Sequence, residues 1–132
     1  KSFYEKNHIK SELFNFKRNL FKNANEINFC ITRAGASSLA ELVQINLPFV
    51  AIPFPYAKDN HQYYNALYYK KLNCCWMIEQ NSNISKDLFN LISSFFENKN
   101  DLNEKINAMK KITYENSWNN INQKIIDSIN EN

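Results

Sequence analysis

Ile31-Thr32-Arg33-Ala34-Gly35-Ala36-Ser37-Ser38-Leu39-Ala40-Glu41-Leu42 runs from the end of an apolar strand, through the sole glycine of the chain, into an amphipathic helix. A strand that stops at Arg33, a Gly35 free to take positive φ, and small residues at 36–38 leave the first amides of that helix uncovered. Such amides carry the positive end of the helix dipole, and two hydroxyls add hydrogen bonds, so the stretch reads as a phosphate cradle fit for a diphosphate. Ser37, Ser38 and Glu41 share one helix face, whereas Leu39, Leu42 and Val43 share the other. The carboxylate of Glu41 then sits one turn below the anion, where an acceptor suits the hydroxyls of a ribose. Strand-glycine-helix junctions also occur in α/β proteins that bind nothing there, so on these residues alone a purely structural turn stays open.

The stretches on either side extend the pattern. Ile27 to Ile31 is an apolar run too short for a helix and feeds the junction. Pro48-Phe49-Val50-Ala51-Ile52 is continuously apolar, the mark of a strand buried on both faces of a parallel sheet, and Pro53-Phe54-Pro55-Tyr56 ends it because proline has no ladder N–H. Lys58-Asp59-Asn60-His61-Gln62-Tyr63-Tyr64-Asn65-Ala66 opens a helix reaching about Leu72, with Asp59 or Asn60 as its cap. His61, Gln62 and Asn65 lie within its first turns as one uncharged polar patch, the chemistry of a sugar's hydroxyls, although capping and solvation can explain the same residues. Cys74 to Glu79 reads as another strand.

Ser11 to Phe16 reads as a short strand, and Asn19 can cap a helix to about Asn25. After Glu79 the chain turns helical. Ser85 is the expected cap of a helix with Leu88, Leu91, Ile92 and Phe95 on one face, Asp101 with Glu104 signals a second with Leu102, Ile106 and Met109, and Ser117 a third with Trp118, Ile121, Ile125 and Ile129. Core packing is the expected purpose of these stripes. Alternating strands and helices from Ser11 to Glu79 imply right-handed crossovers and a parallel sheet, whose ligands bind at the carboxyl ends of the strands. The phosphate cradle and the polar patch would then face one crevice.

Composition bounds what such a fold can do. The 132 residues are 44% hydrophobic and 14% aromatic, enough for one domain with a real core. A formal charge of +3 without a dense basic run gives no reason to expect nucleic acid as a partner. No segment approaches the roughly 20 apolar residues of a membrane span. Cys30, Cys74 and Cys75 have no metal-type spacing; they are expected to be reduced structural thiols of a cytosolic protein. No cluster of carboxylates argues for a metal, and no cofactor is expected. That the chain opens on Lys1 suggests a fragment.

Thr32 to Glu41, followed by Leu47-Pro48, Ile52-Pro53, Pro55-Tyr56, Asp59-Asn60-His61-Gln62 and Asn65-Ala66, resembles the C-terminal half of the MurG family. These are glycosyltransferases of family 28 that move N-acetylglucosamine from UDP-N-acetylglucosamine onto lipid I, forming lipid II of peptidoglycan. The resemblance implies the Rossmann-like C-terminal domain of a GT-B glycosyltransferase: a parallel sheet with flanking helices, spanning residues 1–132, incomplete at its N-terminus and ending in a run of helices over 85–132. It implies that Ala36, Ser37 and Ser38 hold the diphosphate, Glu41 the ribose, and His61, Gln62 and Asn65 the diphosphate and the hexose. Lys17, after Phe16, would read the uracil largely through its backbone groups, although the acidic pair expected next is replaced by Arg18-Asn19. The glycine-rich loops with which this family binds lipid I and supplies a catalytic base are absent. The chain is therefore expected to be the donor-binding half, inactive alone, of an inverting enzyme peripheral to the cytoplasmic face of the membrane. Another GT-B glycosyltransferase subunit, of glycolipid or split N-acetylglucosaminyltransferase type, and a non-catalytic nucleotide-binding remnant are the alternatives.

Overall fold

A computed structural model describes residues 2–18, 20, 26–98, 100–112 and 126–127. The apolar run before Pro53 forms its centre: strand β2 (Phe49–Ala51) lies between β1 (Cys30–Thr32) and β3 (Cys75–Met77) in a parallel sheet of order β1-β2-β3. The register pairs Ile31 with Val50 and Val50 with Trp76. Phe49, Val50 and Ala51 are all fully buried, as a central strand covered on both faces requires.

Helices α2 (Ala36–Gln44) and α3 (His61–Lys71) make the two crossovers. Successive residues of β2 point to opposite faces, which divides the core in two. Phe49 and Ala51 pack with Leu39, Leu42 and Val43 of α2, Ala66 of α3 and Met109 of α5 (Asn100–Lys110). Val50 and Ile52 pack instead with Phe95 of α4 (Ile84–Glu97), around which Phe29, Trp76, Leu88 and Leu91 gather. Phe95 is the pivot of that second layer, with ring centroids 5.2 Å from Phe29 and 4.6 Å from Trp76. Helices thus cover both faces of a parallel sheet, the α/β architecture expected from the strand pattern.

Several expectations are corrected. Residues 11–16 form no strand; Leu13, Phe14 and Phe16 are exposed, and no strand lies along the outer edge of β1 among the described residues to offer them a ladder. A short helix, α1 (Ser2–Lys6), precedes them. Helix α4 has Asn83 rather than Ser85 at its N-cap position, without a side-chain cap, because Asn81 Oδ1 accepts the Asn83 N–H at 2.8 Å and starts the turn earlier. Helix α5 starts at Asn100, ahead of Asp101, since Asn98 accepts the Asn100 N–H at 3.1 Å and donates to Asp101 at 2.7 Å. The helix expected from Asn19 lies outside the described residues apart from Leu20, and the one from Ser117 lies outside them apart from 126–127, which are helical. No helix among the described residues is long and apolar enough to cross a membrane.

Candidate donor site at the carboxyl ends of the strands

The loop after β1 delivers the chain to the start of α2 without capping it. Gly35 is the N-cap residue, extended at φ −70° and ψ 133° rather than at positive φ, and no side chain caps the helix. This conformation suits any residue, and a Cβ there would meet only Ser38 Oγ at 3.8 Å. The backbone therefore does not require glycine here. What the glycine supplies is the absence of a capping side chain, since Ser, Asp or Asn at that place would occupy the amides itself. The first helical bond is Leu39 N–H to the Gly35 carbonyl at 3.0 Å, and the amides of Ala36, Ser37 and Ser38 meet no acceptor among the described residues. Three donors at the positive end of a helix dipole stand open.

Ser37, Ser38 and Glu41 are exposed, while Leu39, Leu42 and Val43 turn inward, so the faces divide as their spacing predicts. The Glu41 carboxylate has no partner among the described residues. A carboxylate one turn from an anion site is placed to accept from hydroxyls rather than to neutralise a cation.

The polar patch of α3 reaches this junction. Asn65 Nδ2 donates to the carbonyl of Ala34 at 3.1 Å, linking α3 to the residue just before Gly35. Gln62 Oε1 accepts the Phe54 N–H at 2.9 Å and so holds the loop after β2. His61 Nδ1 lies 2.7 Å from the Lys58 carbonyl; because a carbonyl only accepts, Nδ1 carries the proton, and Nε2 of a neutral ring is left as an acceptor. Each side chain thus fixes local backbone with one polar atom and keeps another available: Nε2 of His61, Nε2 of Gln62, Oδ1 of Asn65. Asn60 is the N-cap of α3 but in the left-handed region at φ 53°, without a side-chain cap, and Asp59 shares that conformation. The expected side-chain capping is replaced by a tight 3₁₀ turn at Lys58–Asn60.

Two residues not singled out in the sequence complete this end of the sheet. Arg33 Nη1 donates to the Ile52 carbonyl at 3.3 Å and to Gln80 Oε1 at 2.5 Å, with the guanidinium 5.7 Å from the Phe54 ring centroid. The available signal was a lone charged residue between an apolar strand and a run of small residues. Beside it, a recess of about 290 Å³ opens between the 53–55 loop, the first turns of α3, Glu79 and Gln80. Lys17 is not brought into contact with α2 or α3: it pairs with Glu12 at 2.9 Å and lies over the Phe14 ring.

A second recess of about 400 Å³ adjoins the other side of Arg33, lined by Thr32, Ile52 and Gln80, whereas the thiols lie elsewhere. Burial raises the Cys75 thiol to about 12, with nearby Cys74 adding to the rise and Lys105 and Lys70 opposing it; burial also raises Cys30 and Cys74. All three are free thiols. Nucleophilic thiolate is scarce under these conditions. No group of three or more His, Cys, Asp or Glu placed to hold a metal occurs among the described residues. A recess of about 640 Å³ lies at the opposite, amino-terminal end of the strands, between residues 27–29, 45–48 and the aromatic face of α4. It has no titratable group and is remote from the amides of α2.

Residues 1–123 match the model of the glycosyltransferase family 28 C-terminal domain. The chain belongs to this family. It is 47% identical, over all 132 residues, to the UDP-N-acetylglucosamine–N-acetylmuramyl-(pentapeptide) pyrophosphoryl-undecaprenol N-acetylglucosamine transferase of Pelagibacter ubique (strain HTCC1062), of which it spans 37%. It is 45% identical over 83 residues to the transferase of the same name from Helicobacter pylori (strain G27), covering 63% of this chain and 24% of that protein. The crystal structure of Acinetobacter baumannii MurG superposes with a TM-score of 0.69 at 21% identity, over 94% of this chain and 34% of that one. The chain thus spans between 24% and 37% of the length of these relatives, and the parallel sheet with flanking helices is the architecture it shares with the MurG structure.

Proposed function

We propose that residues 1–132 form the donor-binding C-terminal domain, with 85–132 its helical end, of an inverting glycosyltransferase that moves N-acetylglucosamine from UDP-N-acetylglucosamine to lipid I. The observation that carries this reading is the open row of amides at Ala36, Ser37 and Ser38, tied by the Asn65–Ala34 hydrogen bond to the polar first turns of α3. The family and the names of the relatives support the choice of nucleotide sugar. In this reading the pyrophosphate rests on those amides and the two hydroxyls, and Glu41 accepts from the ribose. His61 Nε2, Gln62 Nε2 and Asn65 Oδ1 meet the hexose and its phosphate. Lys17 is assigned to the uracil by its place after Phe16.

The chemistry follows from charge. The acceptor's 4-hydroxyl displaces UDP at the anomeric carbon from the opposite face, so the configuration inverts, and negative charge grows on the departing pyrophosphate. Fixed amides and the α2 dipole stabilise that charge, in the manner of preorganised donors at a developing oxyanion. The base that takes the hydroxyl proton, and the surface that holds lipid I at the inner face of the cytoplasmic membrane, belong in this proposal to the part of the relatives that the chain does not span. The isolated chain is accordingly expected to bind donor and transfer nothing.

Calorimetry with UDP-N-acetylglucosamine, UDP-glucose and UDP tests the binding, and a lipid I analogue with and without a supplied N-terminal half tests the division of labour. Preference for the N-acetylglucosamine donor is expected. Binding of none of the three would discard the donor site in favour of a remnant fold, a preference for glucose would point to another GT-B enzyme, and turnover by the chain alone would refute the division.

A further inference from the structure

Three separate loops follow the three strands at the carboxyl end of the sheet, and nothing in a parallel ladder fixes the distance between such loops once the strands have ended. Arg33 addresses this. It follows the last residue of β1; its Nη1 uses both protons, one on the carbonyl of Ile52 at the end of β2 and one on Gln80 Oε1 after β3. Its guanidinium lies within cation–π range of Phe54, in the loop that Gln62 holds from below. One side chain therefore touches the continuation of all the strands of the sheet.

An arginine two residues from an anion-binding helix start invites assignment as an anion ligand. The geometry points to a different role: we infer that Arg33 is a positioning residue, a latch through Gln80 and Ile52 that sets the gap between the start of α2 and the 53–57 loop. This inference rests on the donor-site reading for its consequence in binding, but the latch itself is a property of the unliganded chain. Asn65 and Gln62 act from α3 on the same two loops, so the latch closes the side of the site that α3 does not reach.

The test is a double-mutant cycle on the 132-residue chain with Arg33→Gln, Gln80→Ala and the pair, each titrated with UDP and each followed by hydrogen–deuterium exchange without ligand. Each single change is expected to weaken UDP binding about three- to tenfold, less than the roughly ten- to hundredfold of a direct hydrogen bond to a charged group, because the latch reaches the ligand only through the loops it holds. The pair should be no weaker than the worse single, because both changes break one device. Gln80→Glu, which still accepts from the guanidinium, should restore affinity. Exchange at the amides of Phe54, Tyr56 and Ala57 should accelerate in both singles without nucleotide. Full affinity in Gln80→Ala alongside a loss in Arg33→Gln would make Arg33 a direct ligand and overturn the latch, as would losses that multiply in the pair or exchange rates that do not change. Failure of the wild-type chain to bind UDP would count against the donor reading, while the exchange rates would still decide the latch.

Discussion

Replacing Asn65 with Asp isolates one proton. The side chains are nearly isosteric, but at neutral pH the carboxylate has no hydrogen to give, and the atom 3.1 Å from the Ala34 carbonyl becomes a second acceptor. Ala34 is fully buried and its carbonyl receives no other donor among the described residues. Losing the bond leaves that carbonyl unsatisfied, at about 1–3 kcal/mol for a buried group, and Asn65→Ala should show this loss alone. Asn65→Asp should fall further because two oxygens now oppose each other. For a domain of this length the Ala change corresponds to a fall in Tm of roughly 4–10 °C. The sign of the pH effect is fixed: a hydrogen bond from the protonated acid raises the folded-state pKa of the new Asp above its unfolded value of about 3.9. The Asp variant should therefore recover stability relative to Asn as pH falls through about 5 to 4, whereas the Ala variant should not. Urea unfolding of the three proteins across that range reads the difference. An Asp variant as stable as the parent at pH 7, or one whose deficit does not shrink in acid, would refute the assignment of Asn65 as the donor to Ala34.

Further outcomes follow from the same geometry. Glu41→Ala should leave unfolding within about 0.5 kcal/mol of the parent, as for an exposed residue without a partner. Calorimetry should show UDP binding weakened about 10- to 100-fold, the scale of hydrogen bonds to a charged acceptor; equal affinity would remove Glu41 from the ribose. Gly35→Asp should cap α2 through its own side chain and raise stability by a few tenths of a kcal/mol while strongly weakening UDP binding. If affinity survives that change, the amides of residues 36–38 do not hold the pyrophosphate. Cys75 has a folded-state pKa of about 12 against 9.0 for the free thiol, so its contribution to stability is fully present below pH 9 and is lost as pH rises toward 12. Cys75→Ala should flatten the alkaline fall of unfolding free energy in that window, and an unchanged slope would assign the fall elsewhere.

What the sequence made readable was periodicity and what it hid was partnership. The continuous apolar run at 49–52 and the alternation of faces along 36–44 each have one structural solution, so strand β2 and the buried stripe of α2 followed directly from spacing. The segment 11–16 carries apolar residues at 13, 14 and 16, but a strand exists only beside another strand, and no pattern within six residues announces whether a neighbour is present. The caps of α4 and α5 slipped for a related reason: asparagines at 81 and 98 close turns earlier than the Ser85 and Asp101 signals, and in a chain rich in asparagine several candidates compete within one turn. At the site, the residue types were visible but not their bonds. Spacing put His61, Gln62 and Asn65 on adjacent turns; it could not show that each has one polar atom committed to backbone. Arg33 and Gln80 lie 47 residues apart, and only the sheet brings them together.

This double commitment changes how substitutions in the patch should be interpreted. A side chain that holds a loop with one atom and a ligand with another affects binding twice when removed, so a loss of affinity in Asn65→Ala does not by itself locate a ligand contact. The two contributions separate because they use opposite ends of the amide. Asn65→Asp retains an acceptor for the ligand while losing the donor to Ala34, and Gln62→Glu retains the acceptor for Phe54 N–H while losing the free Nε2. If the site works as described, the first variant loses mainly stability and the second mainly affinity. The reverse pattern would mean that the atoms facing the backbone and the atoms facing the nucleotide have been exchanged.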